Sequence, residues 1–225
     1  MPVPCLSIRA YYTDAALRNY TPIQPSDPKN LFYKIYYNDA WKADQIWDPA
    51  GVGVALDSPQ LLTGFTDNIT DISQVDSLPR PYDDEILLYY IGASKFSNGA
   101  TGFTKPIQVN GKWRYNIVIC YDAWDYILAH ELGHIYFMQF NVPGHIGVPY
   151  SKCPGGGYTH DGVFDDTHHP DVNNLMHHTF SDRTDPNTVP PSLTQEQKDA
   201  ASKLIFPLGH CLVCRPVGPS EEYCE

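Results

Sequence analysis

No stretch of this 225-residue chain is apolar for long enough to cross a bilayer, and positive charge is scarce. A spanning helix needs about 20 consecutive apolar residues, so no membrane span is expected. Lysine and arginine total 15 against 26 aspartates and glutamates, a net charge of −11. Without a basic stripe to neutralise phosphates, no nucleic-acid partner is expected. Met1-Pro2-Val3-Pro4 has neither the basic start nor the apolar stretch of a signal peptide. No internal repeat or linker divides the chain, so one domain over residues 1–225 is expected. No second C-x-x-C accompanies Cys211 and Cys214, so a four-cysteine zinc ribbon cannot be completed.

What is present suits a soluble enzyme domain acting as a monomer. Apolar residues make up 42% of the chain, enough for one sizeable core or two lobes flanking a cleft. Sixteen tyrosines and twenty prolines favour turns and extended segments over long helices. Cys5, Cys120, Cys153, Cys211, Cys214 and Cys224 are even in number and mostly terminal. They are expected to include disulfides that stitch the Pro/Gly-rich tail onto the body, with Cys5 and Cys153 as candidate partners and Cys120 as a core thiol. Two sequons, Asn19-Tyr20-Thr21 and Asn68-Ile69-Thr70, agree with a secreted, extracellular protein.

The chemistry is concentrated in His130-Glu131-Leu132-Gly133-His134, an H-E-x-x-H motif. On a helix, histidines four apart lie one above the other, so both imidazoles reach one metal ion. Zinc takes neutral imidazole readily, and a glutamate between them can act on a water held against the ion. The apolar run Asn116 to Cys120 reads as a buried strand before that helix, and Asp122 marks the expected helix start. A catalytic zinc takes three protein ligands and keeps one position open. Downstream, His145, His160, His168 and His169 compete for the third place. The apolar run Ile135 to Phe140 carries the helix on by about another turn, and Asn141-Val142-Pro143-Gly144 is the expected stop signal. His145 is the first histidine past that stop and the favoured third ligand, with His160, His168 and His169 as rivals.

Elsewhere, residues 29–40 have strand-like content, and Ile86 to Ile91 reads as a fully buried strand. Segments on either side of Asn110-Gly111 read as a hairpin. Thr194 and Gln197 form the capping box of a late helix.

Asn173-Asn174-Leu175-Met176-His177-His178 resembles the Met-turn of the metzincin metallopeptidases, and Leu193 to Ala201 resembles the closing helix of that clan. H-E-L-G-H, N-L-M and L-T-x-E-Q follow in the metzincin order. The chain departs from the clan pattern in having Phe137 and Phe140 where a glycine and the third histidine stand. Cys153 and the stretch His160-Asp161-Gly162-Val163-Phe164-Asp165-Asp166-Thr167 bring the order of features closest to the pappalysin-like metzincins. A gluzincin is disfavoured, because no glutamate occurs between Glu131 and Glu196.

The resemblance implies an α+β, zincin-like two-lobed catalytic domain: a mixed twisted sheet with the active-site helix to about residue 141, then a loop-rich lower lobe over about 142–225. It implies a zinc endopeptidase acting on protein or peptide substrates. His130, His134 and His145 would hold the metal, Glu131 would be general base, and Met176 would pack beneath the ion. Gly99 to Thr104 would form the lip that pairs with substrate. Several metzincins carry a tyrosine two residues past the methionine; His178 stands there here. The Asp161-Asp165-Asp166 cluster is a candidate Ca2+ or loop-ordering element. The alternative is a non-catalytic zincin-like binding module.

Overall fold

The computed structural model describes residues 4–20, 30–83, 86–141, 153–155, 158–160, 163–165, 167–178, 190–203 and 209–210. Its frame is a mixed sheet. Strands β1 (Pro4–Tyr12), β2 (Gly53–Leu56), β3 (Gln60–Leu61), β4 (Ile86–Ile91), β5 (Gly102–Val109) and β6 (Lys112–Cys120) run in the order β2-β1-β4-β6-β5, with β3 also on β1. The pairs β1–β2, β1–β4 and β4–β6 are parallel, whereas β5 returns antiparallel along β6. The expected hairpin is therefore present. Asn110 and Gly111 both take positive φ, 51° and 75°, as a tight two-residue connection between right-twisted strands requires.

Strand β4 is buried at all six positions, as its unbroken apolar run predicts for a strand covered on both faces. Leu88 and Tyr90 point into one cluster with Ile117, Ile119, Leu128, Leu132 and Ile135. Leu87, Tyr89 and Ile91 point into the other, with Val118, Val75 and Phe96. The period-two alternation of a strand thus serves two cores at once.

Helix α1 (Asp14–Asn19) follows β1, and α2 (Leu31–Tyr33) leads through a π-helix (Lys34–Trp41) into α3 (Lys42–Trp47). This corrects the strand expected over residues 29–40. The buried positions 34, 35, 39 and 40 recur every five residues rather than every two. Asn30 also caps the turn by accepting from the Phe32 N–H. Lys34 Nζ meets Asp39 Oδ1 at 2.6 Å inside that turn, and Tyr90 donates to the other carboxylate oxygen. An ion pair five residues apart matches π-helical spacing, a signal hidden beneath the aromatic content.

Helix α4 spans Ile127–Asn141 and carries the H-E-x-x-H motif, and the expected stop at Val142-Pro143-Gly144 lies outside the described residues. The helix starts later than Asp122, which lies in a turn closed by Ala123 N–H to the Cys120 carbonyl. Hairpin strands β7 (Tyr158–His160) and β8 (Val163–Asp165) and helix α5 (Gln195–Ala201) follow. The reciprocal Thr194–Gln197 capping box of α5 is formed. Strand β9 (Gly209–His210) pairs with Pro4 and Cys5, which returns the tail to β1. Cys120 is a buried core thiol as expected, and Cys153 is buried as well, its Sγ accepting from Gln197 Nε2. No helix among the described residues is long and apolar enough to cross a membrane.

Candidate metal centre

One turn of α4 stacks His130 over His134, with ring centroids 4.8 Å apart and edge to face. Their Nε2 atoms are 3.2 Å from each other. The third imidazole is His168, whose ring centre lies 5.4 Å from that of His130 and 5.1 Å from that of His134. Each of the three offers one ligand atom, and these atoms all lie within 4.8 Å of one another. The group could hold a metal ion.

Two features of the donor set fit such an ion. Nitrogens bound tetrahedrally at about 2.0 Å stand about 3.3 Å apart, close to the observed Nε2 separation. His130 Nδ1 lies 2.8 Å from the Leu175 carbonyl, which can only accept. The proton is therefore on Nδ1, and the Nε2 lone pair is left for the cluster. Burial, followed by the neighbouring His168, pushes the His130 pKa down to about 3, against the opposing pull of the Leu175 carbonyl. The ring is accordingly neutral, the form that ligates metal.

The carbonyl that orients His130 belongs to the N-L-M turn. Asn174 Oδ1 accepts from Met176 N–H, and Leu175 N–H donates to the Ser192 carbonyl. Asn174 and Gln197 exchange side-chain hydrogen bonds of 2.8 and 3.0 Å, and Gln197 also donates to Cys153 Sγ. Met176 is fully buried. A Cβ built on Gly133 would stand 2.3 Å from its sulfur, so the glycine inside the motif is the space the methionine occupies. The Met176 carbonyl accepts from His169 N–H at 2.8 Å, tying the segment that carries His168 to the same turn.

Glu131, which follows His130 on α4, is 3% exposed and meets strand β5. The Thr104 hydroxyl donates to its Oε2 at 2.6 Å. Burial raises the Glu131 pKa to about 7, with the Thr104 hydrogen bond opposing.

His145, the favoured third ligand from sequence, lies outside the described residues, while the rival His168 completes the cluster. His160 belongs to β7. His169 turns elsewhere, accepting from Asp171 N–H through Nδ1, and burial lowers its pKa. His177 is buried, and the His178 ring centre lies 6.2 Å from that of His168. For the calcium candidate, Asp161 and Asp166 lie outside the described residues, and Asp165 belongs to β8. Sequence reasoning missed the Thr104 hydroxyl and the Leu175 carbonyl. The first carries no pattern, and the second is a backbone atom. Gln197 was visible only as a local cap.

No protein-family model matches the chain, and no curated protein matches its sequence.

Proposed function

We propose that this chain is a zinc-dependent endopeptidase with a zincin-like, two-lobed catalytic domain of the metzincin kind, closest in feature order to the pappalysin-like members. The observation that carries the reading is the three-histidine cluster with a buried glutamate on the same helix and a methionine packed against the motif glycine. His130, His134 and His168 would hold the ion; with zinc bound, the site would gain Lewis acidity and a water of near-neutral pKa. The Glu131 carboxylate takes a proton at the attacking side and returns it to the departing amine. Leu175 keeps the His130 proton on Nδ1 throughout. A binding module would have no need of a general base beside two metal-reaching histidines.

The substrate is a protein or peptide. Strand β5 stands last in the sheet order, beside Glu131, and suits the role of substrate-pairing lip. Secretion belongs to the same reading, supported by Asn68 and Thr70 being exposed as a glycosylation sequon needs. The test is peptide cleavage by wild type and by Glu131→Ala, with zinc measured in both. Loss of about 10²-fold or more in the variant, with zinc retained, is expected. Equal cleavage by the two would refute the general-base role.

A further inference from the structure

Strand β5 meets α4 through two residues that face the same side of the sheet, Gly102 and Thr104. Both converge on one carboxylate. The Thr104 hydroxyl lies 2.6 Å from Glu131 Oε2 and 3.1 Å from the Glu131 carbonyl, and its single proton goes to the nearer, carboxylate acceptor. Among the described residues it is the one hydrogen-bond donor to that carboxylate. Gly102 contributes by lacking a side chain. A Cβ there would stand 2.5 Å from Glu131 Oε1 and 2.7 Å from Ile127 Cγ1. One oxygen is thus anchored by a hydroxyl, and the other is accommodated in a gap.

We propose that Thr104 and Gly102 are positioning residues, which set the orientation of the Glu131 carboxylate from the edge of the sheet. The inference rests on the peptidase reading for its kinetic consequence, but the geometry stands without metal. A glutamate has three rotatable bonds, and a side chain with one donor loses its preferred orientation when that donor goes. Thr104 is suited to the task because a β-branched residue on a strand has a restricted χ1, so its hydroxyl direction is set by the backbone. The two contacts also place the general base under the control of the lip strand rather than of its own helix alone.

The experiment compares wild type with Thr104→Val, Thr104→Ser and Gly102→Ala. Each is assayed for kcat and KM on a quenched fluorescent peptide selected by wild-type cleavage, and for zinc affinity. Crystal structures of the metal-free proteins give the Glu131 side-chain orientation. Thr104→Val should lower kcat about 10- to 100-fold with KM and zinc affinity kept, since small misplacements of a reacting group have effects of that size. Its metal-free structure should show the carboxylate turned away from β5. Thr104→Ser, which keeps the hydroxyl but not the β-branch, should recover most of both readouts, and Gly102→Ala should displace Oε1 and reduce kcat with the fold intact. Unchanged kcat in Thr104→Val, or a Glu131 that stays in place in its crystal structure, would overturn the proposal. If wild type cleaves no peptide, the peptidase reading fails, and the metal-free structures alone decide the positioning role.

Discussion

Helix α4 is gripped differently on its two sides. Toward the sheet, Leu128, Leu132 and Ile135 share one buried cluster with Leu88, Tyr90, Ile117 and Ile119. Toward the segments 167–178 and 190–203, Leu175, Met176, Ala200 and Ala201 extend the same cluster, and directional ties are added to it. His130 meets the Leu175 carbonyl, and behind it Asn174, Gln197 and Cys153 form a buried hydrogen-bonded chain. Apolar burial is non-directional and holds the helix in place without choosing a ring orientation. Hydrogen bonds choose the orientation, and they fail as a group when one member is removed. The sheet side should therefore govern stability, and the turn side metal affinity.

The largest effect on stability is expected from the sheet. Leu88→Ala should lower the unfolding free energy by about 3 kcal/mol in chemical denaturation, as for other fully buried leucines. The folded fraction should bind zinc as wild type does. A parallel loss of zinc affinity would break the distinction between the two sides. Asn174→Ala comes next. It takes one partner from each end of the wholly buried Gln197 amide and the acceptor of Met176 N–H, leaving Thr194 N–H and Cys153 Sγ on Gln197, and should cost about 2 kcal/mol. It should also weaken zinc binding about 10-fold in competition with a chromophoric chelator, because the Leu175 carbonyl loses its support. Destabilisation without weaker zinc binding would show that the turn does not orient His130.

The smallest effect lies far from both. Asp71 caps the short 3-10 turn Ile72–Ser77, and the Ser97 hydroxyl, then Ser73, hold its pKa down to about 2. A depressed carboxyl contributes fully above its ordinary value of 3.8 and is lost as pH falls through about 2. In the zinc-free protein, the Ser73 amide should lose protection against exchange, relative to the intrinsic rate at each pH, over that window. The Asp71→Asn variant should show little of this acid dependence, and its zinc affinity at neutral pH should match wild type.

The two sides of α4 also differ in how they could be read from sequence. The sheet core was legible, because Ile86 to Ile91 is an unbroken apolar run and Asn110-Gly111 admits little but a tight hairpin. Periodicity is a local property, and these elements express it. Residues 29–40 misled because aromatic and β-branched content suggested a strand, while the Lys34–Asp39 ion pair recurs at π-helical spacing. At the site, His130, Glu131 and His134 were legible because one helix turn carries all three. His168 was one of four candidates, since chain spacing does not say which loop folds back. The Thr104 hydroxyl had no signature, for its contact with Glu131 spans 27 residues and arises only when β5 packs on α4.

The most direct measurement is the zinc content of wild type, His168→Ala and His145→Ala by elemental mass spectrometry. About one zinc per chain is expected in wild type and in His145→Ala, with a severe loss in His168→Ala. Full zinc in His168→Ala would contradict the three-histidine centre, and no zinc in wild type after supplementation would contradict the metallopeptidase reading itself.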